Sequence, residues 1–471
     1  MFFGRQNEID KLNQLYEKPG FDMVVIYGRR RVGKTTILNE FCKDKEVIFF
    51  TAEETTLEKN LDDFSKCVFQ FLIGGGQTGT PTFSSLEDLF RYIGQIKRDK
   101  LVVVLDEFPY LAMSEKGVSS MMQKVIDHDW IHKNIFLILC GSSVSFMEEN
   151  VLGEKSPIFG RRTAQMNVKP FDYLTAAEFV PDYTPEEKAI VYGVTGGVAK
   201  YLSLFQKEVS LWENIESLFF SDMGYLYEEP QNLLRQEFRS LALYNTIIDA
   251  IAAGATHMNE ISGKTGYDSA TVSQAVKRLI SVRIIKKDVP ILNEKSKRNI
   301  HYMLMDGMFR FWYRFVYPGK NAIERGVGKI YFRENVKPVI NDYMGLVFEE
   351  ICREYTFREG IRGAFGESLT NIGKWRGNDN EKKEPADIDV VGVNDRKRVA
   401  VLGECKFRNE EMSSEDIEKC IYRGHLIPYE IMMYLMFSKG GYSKETIQSY
   451  QSEKKIRLLT IGDLYAKNTI S

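Results

Sequence analysis

Eight residues near the start constrain this chain more than any others. Gly28-Arg29-Arg30-Arg31-Val32-Gly33-Lys34-Thr35 reads G-x-x-x-x-G-K-[ST] without a mismatch. An apolar run at 23–27 leads into it, and a stretch of helical pattern at 34–42 follows. The local fold this predicts is strand, glycine-rich turn, helix. Glycines at 28 and 33 let the backbone curl with its amides pointing inward, which makes a concave seat for an anion. A helix beginning near Lys34 adds the positive end of its dipole. Gly28, Arg29, Arg30, Arg31, Val32, Gly33, Lys34, Thr35 and Thr36 are therefore expected to hold the phosphates of ATP. Lys34 would reach the β and γ phosphates, and Thr35 would ligate Mg2+.

Apolar runs at 46–51, 101–105 and 135–140 accompany the first one. Unbroken runs of this kind suit a parallel sheet buried on both faces, so residues 1–165 read as a doubly wound α/β core. Asp106 follows the third run directly and is placed to hold the magnesium shell. Glu107, next to it, would polarise the attacking water.

The 471 residues exceed one ordinary core, so several domains are expected. Lys and Arg number 63 against 65 Asp and Glu, a net charge of −2, so any contact with DNA must use a local patch. The six cysteines form no CxxC pair and the five histidines are scattered. That argues against a zinc site or a disulfide framework, and it suits a reducing cytoplasm. The N-terminus turns polar within four residues, and the apolar runs are too short to cross a bilayer. Neither a signal peptide nor a membrane partner is expected.

Residues 166–235 read as a helical lid, with Asp172 or Thr175 as a cap and Gly196-Gly197 as an interruption. Residues 236–305 read as a winged helix. Helices at 244–253, 258–265 and 269–279, the last capped by Asp268, precede short strands at 282–287 and 299–303 around the basic turn Lys295-Ser296-Lys297-Arg298. On the third helix Val272, Ala275, Val276 and Leu279 make an apolar stripe. Thr271, Gln274, Lys277 and Arg278 lie off it and can reach phosphates or base edges of DNA. Lys286, Lys287 and the turn would add wing charge; the alternative use of such a module is contact with protein. Residues 306–335 form an aromatic-rich connector, in which Phe309, Phe311, Trp312, Tyr313, Phe315 and Tyr317 are read as packing between domains.

Residues 336–471 open with a helix at 339–354, followed by strands at 388–393 and 398–405, helix 414–423, strand 431–437, helix 444–452 and strand 456–461. The charged stretch 376–385 reads as a surface loop. Period-two spacing puts Glu404 and Lys406 on one face of a strand, with Asp389 on its neighbour. Two carboxylates and a lysine at a bend suit phosphodiester cutting. The acids would bind Mg2+ or Mn2+, the ion would activate water, and Lys406 would orient or deprotonate that water. The alternatives are a surface ion pair, or a fold that binds DNA without cutting it.

Several segments resemble known families. Phe3-Gly4-Arg5-x-x-Glu8 ahead of the phosphate loop resembles the opening motif of AAA+ and related STAND ATPases, especially the archaeal-type ATPase family, where it lies near the adenine. Gly141-Ser142-Ser143 after the run at 135–140 resembles the sensor-1 segment, which implies that Ser142 or Ser143 senses the γ phosphate; the usual Asn is absent. Gly160-Arg161-Arg162 resembles the segment that carries an arginine. Arg161 would then contact the γ phosphate in its own subunit or in a neighbouring one of a homo-oligomer. Thr195-Gly196-Gly197-Val198-Ala199-Lys200-Tyr201-Leu202 is similar to the family's GGxPxYL lid signature, with Ala199 where proline is usual.

Asp389 with Glu404-x-Lys406 resembles the PD-(D/E)xK nuclease superfamily. Glu349, which ends a G-x-x-F-E pattern begun at Gly345, would join Asp389 and Glu404 as a metal ligand. Gly373-Lys374-Trp375 resembles another element found before the acidic strand in archaeal-type ATPases with this appended domain. Together these resemblances imply an α/β P-loop NTPase core with a helical lid, a winged helix-turn-helix and a C-terminal α/β PD-(D/E)xK-like domain. The activity expected is that of an ATP-hydrolysing, DNA-directed protein with a metal-dependent nuclease-like domain. The alternatives are a STAND-like signalling switch with a protein partner, and a nucleotide-dependent DNA-binding regulator that does not cut.

Overall fold

Apolar runs that bury both faces need helices on both sides, and the first part of the chain is built that way. A computed structural model describes residues 3–74, 81–292 and 300–466. It divides into two compact units: Met1–Phe171 with Val198–Lys200, and Asp172–Gly197 with Tyr201–Ser471.

The first unit holds a parallel sheet of β1 (Asp22–Tyr27), β2 (Val47–Thr51), β3 (Leu101–Asp106), β4 (Ile135–Gly141) and β5 (Ala164–Asn167), in the order β2-β3-β4-β1-β5. Every residue of β1, β3 and β4 is buried. Alternate side chains feed two cores. Met23, Val25, Leu105 and Leu139 pack on one face, while Val24, Ile26, Val104 and Ile138 pack on the other against the helices Gln6–Tyr16 and Lys34–Cys42. The four-residue edge strand β5 was not expected from the sequence, and it crosses position 165. Because β1, β3 and β4 are parallel and in register, their C-terminal ends open onto one edge of the sheet.

In the second unit, the Asp172 side chain caps the helix Tyr173–Ala177, and the helix Pro185–Thr195 stops at Gly196 and Gly197, both left-handed. Helices Ala242–Ala252, Met258–Thr265 and Ser269–Ser281 follow. Asp268 caps the third by accepting from the amides of Ala270 and Thr271. Strands β6 (Ile285–Asp288) and β7 (His301–Leu304) pair antiparallel, which completes a winged helix. The basic turn 295–298 lies outside the described residues.

Gly307–Phe311 and the continuing turn Trp312–Val316 bury Phe309, Phe311, Trp312, Tyr313 and Phe315. The Trp312 indole donates to the Tyr227 carbonyl at 2.6 Å, and the Tyr313 hydroxyl donates to Asn245 at 2.6 Å. These five aromatics pack against residues before and within the winged helix, whereas Tyr317, read with them from the sequence, is exposed.

The last part carries the helix Ile340–Ile361 and a five-stranded sheet of β8 (Asn371–Asp379), β9 (Glu384–Asn394), β10 (Val399–Lys406), β11 (Glu430–Ser438) and β12 (Ile456–Thr460), ordered β12-β11-β10-β9-β8. Strands β8, β9 and β10 are antiparallel, whereas β10, β11 and β12 are parallel. The stretch 376–385 is therefore not a surface loop. It is the tip of the β8–β9 hairpin, paired out to Asp379 and Glu384. Its charges mark an exposed hairpin end, which composition alone does not separate from irregular coil. Among the described residues no helix is long and apolar enough to cross a membrane.

Candidate functional site

The phosphate loop leaves β1 at Gly28. A Cβ at this position would lie 2.3 Å from the Val168 carbonyl oxygen, so only glycine fits. Arg31 takes a left-handed φ of 70°, and Gly33, at φ 98°, starts the helix Lys34–Cys42. Lys34 is buried, and its ammonium donates to the carbonyls of Gly28 (2.8 Å) and Arg29 (3.1 Å). Burial lowers the ammonium's affinity for its proton, against the pull of Cys140, Glu107 and Asp106. Thr35 and Thr36 are exposed in the first helical turn. Arg30 donates to the Tyr110 hydroxyl at 2.7 Å. Arg5, from the opening motif, donates to the Val32 carbonyl at 3.1 Å and lies over the Phe171 ring. The Lys200 amide donates to the Arg31 carbonyl at 3.1 Å, and Ala199 sits 3.6 Å from where a Cβ on Gly33 would be. The segment with Ala199 in place of proline thus touches the loop itself.

The same sheet edge carries the acids. Asp106 is the last residue of β3 and is buried; desolvation raises its carboxyl above the usual range, with Lys34 opposing. Its Oδ1 accepts the Glu107 amide at 3.0 Å. Glu107 has a left-handed backbone, φ 49°, that turns it out of the strand line. Its Oε2 accepts from the Ser142 hydroxyl at 2.7 Å and from the Ser142 amide at 3.3 Å. Buried Ser142, one residue past β4, therefore holds Glu107. A loop that only glycine can close, a buried ammonium facing backbone carbonyls, open threonine hydroxyls and an adjacent carboxylate pair make a donor set that suits ATP with Mg2+.

Arg161 does not join this site. The Thr163 amide donates to Met23 at the start of β1, which places Arg161 at the opposite edge of the sheet. Five strand residues from Met23 to Gly28 span roughly 16 Å. Arg161 instead grips Asp127 through Nε (3.0 Å) and Nη2 (2.7 Å). Its expected contact with a phosphate in its own subunit is thereby corrected.

On the winged helix, Gln274 and Lys277 are exposed. The Thr271 hydroxyl is taken by Asp268 at 2.6 Å, and Arg278 donates to the Tyr244 hydroxyl at 3.2 Å. Lys286 does not supply free wing charge, because its ammonium pairs with Glu350 at 2.9 Å. Lys287 is exposed.

The C-terminal acids come together on neighbouring strands as the sequence reading placed them, and Lys374 joins them. Strand pairing brings Asp389 beside the Glu404 strand, where Asp389 Oδ2 accepts the Cys405 amide at 3.1 Å. Lys406 pairs with Glu404 at 2.7 Å. Lys374, on β8, contacts Glu349 (3.2 Å), Asp389 (3.0 Å) and Asp387 (3.3 Å). Arg353 adds contacts to Glu349 (3.2 Å) and to the Asp389 carbonyl (2.7 Å). Burial, and then Asp389, raise the carboxyls of Glu349 and Glu404. Among the described residues no group of three His, Cys, Asp or Glu is placed to hold a metal ion. The expected ligand set Glu349, Asp389 and Glu404 is corrected accordingly: ammonium groups already take these acids, so the residues present do not fit a divalent ion. The sequence reading named Lys374 within Gly373-Lys374-Trp375 but gave it no role at the acids, because nothing in the spacing showed β8 as a strand facing them.

Comparison with known proteins bears on this arrangement. A family described as an ATPase domain predominantly from Archaea matches residues 2–205, and a family of archaeal and bacterial proteins of unknown function matches residues 312–420. An uncharacterized protein of Methanocaldococcus jannaschii is 30% identical over 424 residues, covering 90% of both chains. An uncharacterized ATP-binding protein of the same organism is 23% identical over 337 residues, covering 61% of this chain and 89% of that one. Among solved structures, a Walker-type ATPase of Pyrococcus abyssi superposes with a TM-score of 0.52 at 22% identity, covering 66% of this chain and 96% of that one, which is a likeness of fold. With the phosphate loop, its acidic strand and this match along nine-tenths of the chain, the protein belongs to the archaeal-type P-loop ATPases that carry a separate C-terminal α/β domain.

Proposed function

We propose that this ATPase is a nucleotide-dependent, DNA-directed switch in the cytoplasm, and that its C-terminal domain serves as a docking partner of the winged helix. The observation that carries the nucleotide half is the buried Lys34 ammonium, turned onto the carbonyls of Gly28 and Arg29 beside Asp106. Lys34 would turn from those carbonyls to the β and γ phosphates. Thr35 and Asp106 would hold Mg2+, which offsets phosphate charge when bound. Glu107, steadied by Ser142, would orient the attacking water.

The DNA half is supported by the exposed Gln274 and Lys277 on the third helix of the winged fold. A regulator that does not cut is favoured over a nuclease by the ion pairs that Lys374 makes with Glu349 and Asp389. Phosphate release from ATP by wild type and by Lys34→Ala tests the nucleotide half: turnover should vanish in the variant while its folding is kept, and unchanged turnover would refute the site. Plasmid DNA with Mg2+ or Mn2+, with and without ATP, tests the other half. The proposal expects no nicks; cutting by wild type that Lys406→Ala removes would restore the nuclease reading.

A further inference from the structure

We infer that Lys374 is the resident cation of the C-terminal acidic centre, and that the docked wing of the winged helix keeps it there in place of a divalent ion. The ammonium lies within 3.3 Å of carboxylate oxygens from Glu349, Asp389 and Asp387, which come from a helix and from strand β9. Divalent ions are held by oxygen ligands of this kind, and one ammonium with three donors satisfies the same convergence of charge. Lys374, Glu349 and Asp389 are each nearly buried, so solvent screens the contacts weakly.

Lys374 stands on β8, the edge strand of its sheet, and the wing is bolted to that edge. The Ile291 amide donates to the Lys374 carbonyl itself at 2.9 Å. The Ile291 side chain enters the C-terminal core with Trp375, Ile388, Val391 and Leu402. Asp288 pairs with Arg376 at 2.8 Å, and Lys286 pairs with Glu350, the neighbour of Glu349. Each anchor lies within two residues of Lys374 along β8 or next to one of its acids. The wing therefore fixes the backbone that carries the ammonium. It also covers a sheet edge that would otherwise be open. This holds whether or not the winged helix meets DNA.

The test is Mn2+ binding to the full chain without nucleotide, read by electron paramagnetic resonance. Wild type and Lys374→Arg should take up no Mn2+ that depends on Asp389. Lys374→Gln should gain a Mn2+ site, and adding Asp389→Asn should remove it. Mn2+ bound by wild type and lost on Asp389→Asn overturns the inference, as does a folded Lys374→Gln that stays silent. Should Lys374→Gln not fold, the wing variant Lys286→Gln with Asp288→Asn takes its place: Mn2+ uptake dependent on Asp389 supports the inference, and silence overturns it.

Discussion

At Gly28 a single hydrogen decides whether the phosphate loop can close. A methyl group there would press on the Val168 carbonyl at 2.3 Å, and that carbonyl belongs to the backbone and cannot swing aside. Gly28→Ala should cost about 1–3 kcal/mol of stability in chemical denaturation, as overpacking does, and should weaken ATP binding with it. Glu107 offers a different test. Its carboxylate accepts from Ser142 and makes no backbone contact that a glutamine could not replace. Glu107→Gln should therefore keep nucleotide affinity and lose hydrolysis by about 10²–10⁴-fold, the range for a positioned base. Equal loss of affinity and turnover would remove Glu107 from the water-orienting role. Both residues were legible in the sequence because a phosphate loop and a strand-end acid pair are local patterns. Lys374 was legible as part of a motif, but its place among the acids was not. Its partners lie 25 residues earlier and 15 later, and only pairing of β8 with β9 brings them to it.

Among the elements, the long apolar strands and the two strands of the wing were readable, whereas β5 and β8 were not. β1, β3 and β4 are buried throughout, so hydrophobicity alone marks them. β5 is four half-exposed residues on a sheet edge, and β8 carries Gly373, Lys374, Arg376 and Gly377, none of which favours a strand. Pairing with a neighbour makes them strands, and a single sequence does not display its pairings.

The helix Ile340–Ile361 shows the same dependence on context in its charges. Burial alone would raise the Glu350 carboxyl, yet Arg310 and Lys286 hold it down to about 2. Because the folded value lies below the ordinary 4.5, the pair stabilises the fold above pH 4.5 and stops doing so as the pH falls through about 2. Glu350→Gln should cost about 2 kcal/mol near neutral pH, less than a fully buried pair because Lys286 stays half-exposed. The Arg310 Nε and Nη1 atoms, already without partners, would lose their counter-ion. Melting temperatures of the two proteins should converge as the pH drops from 4.5 towards 2; a constant gap would contradict the assignment.

Across the whole molecule, the lid helices, winged helix and C-terminal sheet belong to one unit, while the phosphate loop and its acids belong to the other. After Phe171 the chain leaves the first unit, and it returns only for Val198–Lys200, of which Ala199 and Lys200 touch the loop. Left-handed Gly196 and Gly197 stand just before that return. Inside the second unit, the Tyr343 hydroxyl bonds the carbonyls of Gly193 and Gly307, which joins the lid helix to the helix that bears Glu349.

Replacing Gln274 and Lys277 by alanine should weaken retention of duplex DNA and flatten its salt dependence by about one counter-ion. The most direct test of the account is duplex affinity, by fluorescence anisotropy, with and without a non-hydrolysable ATP analogue, in wild type and in Lys34→Ala. The account predicts a nucleotide-dependent shift in wild type that Lys34→Ala abolishes. Wild-type affinity that is identical with and without the analogue would contradict it.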